Sequence, residues 1–153
     1  MVRLSDVDES EFRYLSSLEC PTYETEPFVT GPPLALRRLA LISTAGLHLR
    51  EDRPFGLGEA EYRVIPGSVK ANDLIMSHIS TNYDRTGFVQ DQNVVFPLDR
   101  LKELTELAVI GSLADFHYSF MGATHPDRME EAARNLAALL KADGVEAALL
   151  VPV

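Results

Sequence analysis

The strongest structural pattern in the sequence runs from Thr124 to Pro152, and it ends Asp143-Gly144-Val145-Glu146-Ala147-Ala148-Leu149-Leu150-Val151-Pro152. Thr124 suits the N-cap of a helix, and Pro126 suits its first turn. Four apolar residues recur at a helical spacing of four, three and four: Met129, Ala133, Leu136 and Leu140. Gly144 is typical of the position after a helix, so the pattern predicts a helix, a glycine stop and a strand over residues 145–151.

Upstream of this unit, short apolar segments predict the other strands. Leu39-Ala40-Leu41-Ile42-Ser43 is a continuous apolar run, which is typical of a strand buried on both faces of a parallel sheet. Residues 73–77 predict a second inner strand, and residues 113–116 predict a weaker one. Residues 62–65 alternate in polarity and end at Pro66-Gly67, so we expect an edge strand there.

The remaining segments predict helices and loops. A helix over residues 97–108 would turn one leucine stripe inward, made of Leu98, Leu101, Leu104 and Leu107. Residues 79–93 are long and polar and are expected to form a loop, in which residues 79–90 would act as a lid. A short amphipathic helix is expected over residues 9–19.

These elements predict an α/β fold, with a small, mainly parallel sheet and flanking helices. The expected arrangement is a Rossmann-like or flavodoxin-like half. An N-terminal helix and extended arm would occupy residues 1–33, and a single α/β domain residues 34–153. A sheet of three or four strands would leave an edge for another subunit to cover, so we expect a homo-oligomer.

Composition limits the possible partners and compartment. The 153 residues include 23 acidic and 14 basic side chains, and the resulting charge of −9 argues against nucleic acid as a partner. No apolar stretch approaches the roughly 20 residues that span a bilayer, so no membrane association is expected. The one cysteine, Cys20, cannot form an internal disulfide, which favours a cytoplasmic location. We interpret Cys20 as an inert thiol in a linking segment.

Several segments match one known family in order and in approximate spacing from about Leu36 onwards. They are Thr44-Ala45-Gly46-Leu47-His48-Leu49, Ser77-His78, Asp91-Gln92-Asn93-Val94-Val95-Phe96-Pro97-Leu98-Asp99-Arg100-Leu101, His117-Tyr118-Ser119-Phe120-Met121-Gly122 and the ending 143–152. In these segments the chain resembles the selenoprotein B family of glycine, sarcosine and betaine reductases and its D-proline reductase relatives. Such a match over several segments is more specific than any single motif.

The resemblance implies reductive cleavage of a C–N bond in a small amino-acid derivative, within a multi-component complex. In that family the last strand leads into a loop that holds a selenocysteine or cysteine, whereas this chain ends at Val153, where the loop would begin. We therefore expect either a thiol- or selenol-bearing partner subunit or a stand-alone enzyme that uses other chemistry. A non-catalytic protein that binds or senses a small amine or amino acid is the third possibility.

Three histidines follow predicted strands, where the carboxyl ends of parallel strands would gather them at one edge of the sheet. The expected catalytic residues are His78, His117 and Asp84, which would transfer protons near neutral pH. Side chains from the same segments would bind a small-molecule substrate: His48, Ser77, Asp91, Asn93, Arg100 and Ser119.

A metal site is the alternative interpretation of the same histidines. His48, His78 and His117 would bind a divalent metal such as zinc or iron, with Asp84 or Asp91 as a further ligand. No short metal-binding spacing such as His-x-x-x-His supports this alternative.

Structural roles remain open for the three histidines and for Asp91, Asn93 and Arg100. Each histidine can be a hydrogen-bonded structural residue at a strand end. Asp91 and Asn93 can shape the turn into the following helix, and Arg100 can pair with Glu103 rather than with a substrate carboxylate.

Overall fold

The computed structural model describes residues 6–19, 22–80 and 83–153, so the prediction for Cys20 lies outside the described residues. The helices are α1 (Glu9–Ser17), α2 (Thr86–Gln90), α3 (Leu98–Glu106) and α4 (Pro126–Ala142). The strands are β1 (Arg38–Ser43), β2 (Leu47–Leu49), β3 (Arg63–Pro66), β4 (Leu74–Met76), β5 (Ser112–Leu113), β6 (Phe116–Ser119) and β7 (Ala147–Val151).

Strand β1 is the centre of the main sheet and pairs in parallel with β5, β6 and β7. Successive residues of a strand present their hydrogen-bonding groups to opposite sides. The carbonyl of Leu39 accepts from Ala114 N, whereas that of Arg38 accepts from Glu146 N. Strands β5 and β6 therefore share one side of β1, and β7 lies on the other. Strand β3 pairs antiparallel with β6 at the edge, so the mainly parallel α/β sheet and its edge strand are confirmed.

The helix-glycine-strand unit is also confirmed, with one correction at its start. Gly144 has a φ of +68°, as its position after α4 requires. The predicted N-cap is wrong: the Thr124 hydroxyl donates to the carbonyl of Glu59 at 2.7 Å, and His125 is the N-cap residue instead. The reason is that the buried Thr124 hydroxyl bonds to the distant loop that contains Glu59, so it does not cap α4.

The prediction that residues 73–77 form an inner strand of the parallel sheet is wrong. Strand β4 pairs antiparallel with β2 in a separate two-stranded sheet. Leu74 is buried, but Ile75 and Met76 are only partly buried. A short apolar run indicates burial and does not indicate strand direction.

The segment before α3 is more regular than expected. Residues 79–93 include α2 and a 3₁₀ turn over Gln92–Val94 rather than loop alone. In the predicted leucine stripe Leu98 and Leu101 are buried, but Leu107 is 72% exposed. The chain turns away there, since Ala108 adopts a left-handed φ of +56° that ends the helix.

Apolar residues cover both faces of the main sheet. On one face, side chains of β1 pack against α3 and the smaller sheet, with Leu41, Phe96 and Leu98 among the most buried. On the other face, Tyr118 and Phe120 pack with Ala132 and Leu136 of α4. Each buried aliphatic or aromatic side chain contributes about 1.5–3 kcal/mol to this packing.

The N-terminal part lies outside this core. Helix α1 has Asp8 as its N-cap and contains no buried residue. The described residues 22–33 form no helix or strand. That residues 34–153 fold as one unit, and that the chain is a homo-oligomer, stay predictions. Within the described ranges, no helix is both long enough and apolar enough to cross a membrane.

Candidate active site

Three parallel strands end together at one side of the main sheet, called here the carboxyl edge (residues 44–46, 120–122 and 151–153). Thr44 joins the strand ends. Its N–H donates to Val151 O at 3.1 Å, and its carbonyl accepts from Gly122 N at 2.8 Å. Its hydroxyl oxygen accepts from Val153 N at 2.8 Å. Ligands of open α/β sheets collect at such an edge.

Gly46 brings the smaller sheet to the carboxyl edge. Its φ is +67°, which favours glycine, and its carbonyl accepts from Ser77 N at 3.0 Å. A Cβ on Gly46 would lie 3.1 Å from both N and Cα of His78. The missing side chain therefore allows the backbone of His78 to approach the ends of β1 and β6.

His78 is a buried imidazole at this edge, with 5% of its surface exposed. Its Nδ1 accepts from Ser80 N at 3.2 Å, which places the ring proton on Nε2. Nε2 is buried and forms no hydrogen bond of good geometry with any described residue. Burial lowers the pKa of His78, and the positive charge of Arg85 lowers it further. The backbone of Val153 raises the pKa of His78, but by less than burial lowers it. His78 is thus a neutral N–H donor beside Val153.

Two side chains from the segment after β4 hold His78. The ring of Tyr83 lies 4.9 Å from the imidazole between centroids, tilted by 49°. The guanidinium of Arg85 donates to the carbonyl oxygens of His78 and Ser80. Burial raises the pKa of Tyr83, so its hydroxyl stays protonated. Neither residue is among the predicted site residues, because the only signal for each in the sequence is its membership of a polar segment.

His117 has a structural role inside the sheet. Strands β5 and β6 leave a gap beside β1, and the His117 ring fills it by accepting from Leu41 N through Nδ1 at 3.1 Å. The imidazole nitrogen therefore takes the place of a main-chain carbonyl oxygen as the acceptor for the N–H of Leu41 in the sheet. Burial lowers the pKa of His117 to about 4, with Lys102 and Arg38 as smaller causes. At neutral pH the ring is uncharged.

His48 lies in the smaller sheet and is 1% exposed. Its Nδ1 donates to the adjacent carbonyl of Leu49 at 2.6 Å, and its Nε2 is buried without a partner among the described residues. His48 is paired with Ile75, three residues before His78 on the neighbouring chain segment.

The three histidines are not gathered as parallel strands would gather them. The expectation assumed that β4 joins the main sheet, whereas it pairs with β2 in the other direction. Of the three, only His78 lies at the carboxyl edge. Among residues 6–19, 22–80 and 83–153, no group of three or more histidine, cysteine, aspartate or glutamate side chains could hold a metal ion. The geometry therefore does not favour the metal alternative.

The two predicted serines bond to the protein's own backbone. The hydroxyl oxygen of Ser77 accepts from Phe55 N at 3.0 Å. That of Ser119 accepts from Leu47 N at 2.8 Å and is fully buried. Ser119 thereby joins the main sheet to β2, and both serines support the edge from within.

The predicted polar residues between β4 and α3 shape turns. Asp84 accepts from Thr86 N at 2.9 Å, and its bonds to Thr86 lower its pKa. The carboxylate of Asp91 accepts from both the backbone N and the side-chain amide of Asn93 at 2.9 Å, as the turn interpretation predicted. These bonds lower the pKa of Asp91, with the backbone N–H of Asn93 as the larger cause.

Arg100 lies on the surface of α3. Its guanidinium contacts Glu103 at 2.7 Å, and its side chain is 60% exposed. The pairing with a neighbouring acid is the alternative that the sequence left open.

The residues 62–153 match the family model of the glycine/sarcosine/betaine reductase selenoprotein B, a range that includes β3 to β7 and His78. Because this match covers more than half of the chain, the protein belongs to that family. The matched range contains four of the five strands of the main sheet and residues 120–122 and 151–153 of the carboxyl edge, whereas β1 and residues 44–46 precede it.

Two curated relatives are similar to about three quarters of this chain. The D-proline reductase subunit gamma of Acetoanaerobium sticklandii is 36% identical over 115 residues, which cover 73% of this chain and 47% of the relative. The sarcosine reductase complex component B subunit beta of Peptoclostridium acidaminophilum is 31% identical over 120 residues, covering 74% of this chain and 27% of the relative. The matched region thus spans about half of the first relative and a quarter of the second. No solved structure matches significantly.

Proposed function

We propose that this chain belongs to a reductase assembly that cleaves a C–N bond in a small amino-acid derivative. Membership of the family supports the type of reaction. The names of the relatives support the class of substrate, since D-proline and sarcosine are both small amino acids with a secondary amine. Both relatives are named as subunits, which supports action together with partner polypeptides.

The observation that best supports this proposal is the placement of His78 beside Val153. Reductive C–N cleavage needs two electrons and delivers protons to the carbon and nitrogen that separate. A dithiol or a selenol–thiol pair can supply the electrons and is oxidised to the corresponding S–S or Se–S bond. The family resemblance implies that this pair follows the last strand, which here is β7. We propose that it acts at the carboxyl edge, whichever polypeptide it belongs to.

In this proposal His78 stabilises negative charge at the edge. Its Nε2–H is a buried hydrogen-bond donor, and such donors are strengthened where water is excluded. A thiolate or selenolate brought next to Val153 would accept this hydrogen bond. Tyr83 and Arg85 would keep the imidazole in place. For His48, His117, Ser77 and Ser119 we propose structural roles rather than contact with the substrate of the reductase.

The test uses the full chain, affinity-tagged and isolated from the cells that produce it, together with whatever subunits copurify. Dithiothreitol serves as the reductant, and amine formation is followed with glycine, sarcosine, betaine and D-proline. We expect reductive turnover of at least one substrate. The variant H78Q should lower kcat about 100-fold, while H125Q, at an exposed histidine, should not. Full activity of H78Q, or no turnover of any of the four, would contradict the proposal.

A second candidate is a non-catalytic subunit that binds a small amine or amino acid. It is favoured by the fact that most of the predicted polar side chains already bond to the protein's own backbone. Saturable binding of one of the four substrates without any turnover in the copurified assembly would support this second candidate over the first.

A further inference from the structure

A pocket that is open to solvent lies away from the carboxyl edge, where β5 breaks into β6 and α3 covers the sheet. We name it the His117 cavity. It measures about 480 Å³, and its polar lining residues are Gly67, Ser68, Lys102, Asp115 and His117. Apolar side chains of α3, β3, β5 and β6, together with Ala114, form the rest of the wall. Sites for small molecules have this size and this mixture of apolar walls with a few polar groups.

The ring of His117 presents an unused donor to this cavity. Because Nδ1 accepts from Leu41 N, the ring proton must sit on Nε2. Nε2 is buried and has no hydrogen-bond partner in the described part of the chain. A buried donor left unpaired is unfavourable, so a bound acceptor would be stabilised at this position.

Gly67 leaves the space through which an acceptor would reach Nε2. A Cβ on Gly67 would lie 3.5 Å from Nε2 of His117, in the cavity wall. The same Cβ would be 3.4 Å from the carbonyl oxygens of Ala114 and Asp115, which is an ordinary contact, and the φ of Gly67 is not left-handed. Alanine therefore fits the backbone here but would fill the approach to the imidazole.

The charges around the cavity favour an anion. Lys102 lines it, and its ammonium lies 4.0 Å from the carboxylate of Asp99, too far for a tight pair. The carboxylate of Asp115 is already paired with Arg38 at 3.2 Å. Arg38 is also paired with Asp143 at 3.1 Å. After burial, the positive charges of Lys102 and Arg38 are the causes that lower the pKa of His117.

We propose that the His117 cavity binds a small carboxylate with a short apolar body. One carboxylate oxygen accepts from Nε2–H of His117, and Lys102 supplies the opposite charge. The apolar walls enclose the rest of the molecule. This site is separate from the carboxyl edge and does not depend on the proposed reductase activity.

The test follows the imidazole of His117 by NMR in the ¹⁵N-labelled full chain as butyrate is added. We expect a saturable change of the His117 signals. Butyramide, which has the same shape without the charge, should bind at least about tenfold more weakly. K102M and G67A should each weaken butyrate binding by about tenfold or more. R100M, on the same helix but paired with Glu103 at the surface, should bind as the wild type does.

Several results would overturn this proposal. They are the absence of a saturable change at His117, equal affinity for butyrate and butyramide, and unchanged affinity in K102M. If G67A is destabilised, K102M and the butyramide comparison still decide the matter, because the Lys102 side chain is partly exposed and its replacement leaves the core intact.

Discussion

Gly122 lies directly against the carbonyl oxygen of Val153: a Cβ on Gly122 would stand only 2.3 Å from that oxygen. The same Cβ would lie 2.9 Å from the carbonyl oxygen of Thr44. All of these atoms are backbone, so none can move aside by changing a rotamer. The end of β7 is therefore held at its present position only if residue 122 has no side chain.

Replacing Gly122 by alanine should displace Val153 and lower the free energy of unfolding by about 1–3 kcal/mol, as overpacking does. Urea denaturation measures this change. The matched control is G56A, since a Cβ on Gly56 meets only Glu59 Oε2 at 3.5 Å. An unchanged urea midpoint for G122A would show that the close packing of the carboxyl edge does not constrain this residue.

The stability of the protein should fall as the pH is lowered from about 6.5 to 4, and His117 should be the largest single histidine contribution. Its pKa is about 4 in the folded protein, against an ordinary value of 6.5. Below pH 6.5 the unfolded chain gains a proton that the folded protein does not bind. The free energy of unfolding therefore decreases, by at most about 3 kcal/mol for this group.

The variant H117N isolates this effect, because the asparagine side-chain oxygen can accept from Leu41 N in place of Nδ1 but cannot titrate. The difference in slope between wild type and H117N over pH 4–6.5 is the measurement. H125N, at an exposed histidine, is the control. Equal slopes for wild type and H117N would refute the assignment.

The hydrogen bond between Leu41 and His117 gives a separate prediction at neutral pH. Leucine at position 117 would leave the buried N–H of Leu41 without an acceptor and should cost about 1–3 kcal/mol. H117N should be less destabilised than H117L, although both remove the imidazole. Equal destabilisation of the two variants in urea would mean that packing, and not the acceptor, determines the role of residue 117.

The fold was predictable where local signals determine it. The spacing of apolar residues in α4 and the glycine at position 144 depend only on neighbours in the sequence, and both predictions are confirmed. The direction of β4 depends on its partner, and an apolar run does not identify that partner. For this reason the predicted place of residues 73–77 in the parallel sheet is wrong.

The candidate site was only partly predictable for a similar reason. His78 was expected at a strand end, and it lies at the carboxyl edge. Its neighbours there come from distant parts of the chain. For example, Gly46 bonds to Ser77, the residue before His78, although Gly46 and Ser77 lie 31 residues apart in the sequence. The bond of His117 to Leu41 joins residues 76 apart. Neither contact leaves a spacing pattern in the sequence, so the separation of the histidines could not be foreseen.

Arg85 should control both the position and the proton affinity of His78. Its guanidinium bonds to the carbonyl of His78, and its charge lowers the pKa of the imidazole. In R85M the pKa of His78 should rise, which an NMR titration of the histidine signals measures. R134M, whose arginine pairs with Glu130 on the surface of α4, is the control. A pKa of His78 that does not move in R85M would contradict this role.

The boundary of the folded domain can be tested by two nested deletions. Removal of residues 1–33 takes away α1, which has no buried residue, and should change the free energy of unfolding by about 1 kcal/mol or less.

Removal of residues 1–37 also deletes the carbonyls of Leu34 and Arg37, which accept from Gly111 and Ser112 at 3.1 Å. This second deletion removes the partners of two N–H groups beside β1 and should cost about 1–3 kcal/mol more, the net contribution of two hydrogen bonds. Urea denaturation of both chains is the measurement. Equal stability of the two would place the start of the domain beyond residue 37, whereas failure of the 34–153 chain to fold would show that the N-terminal arm is part of it.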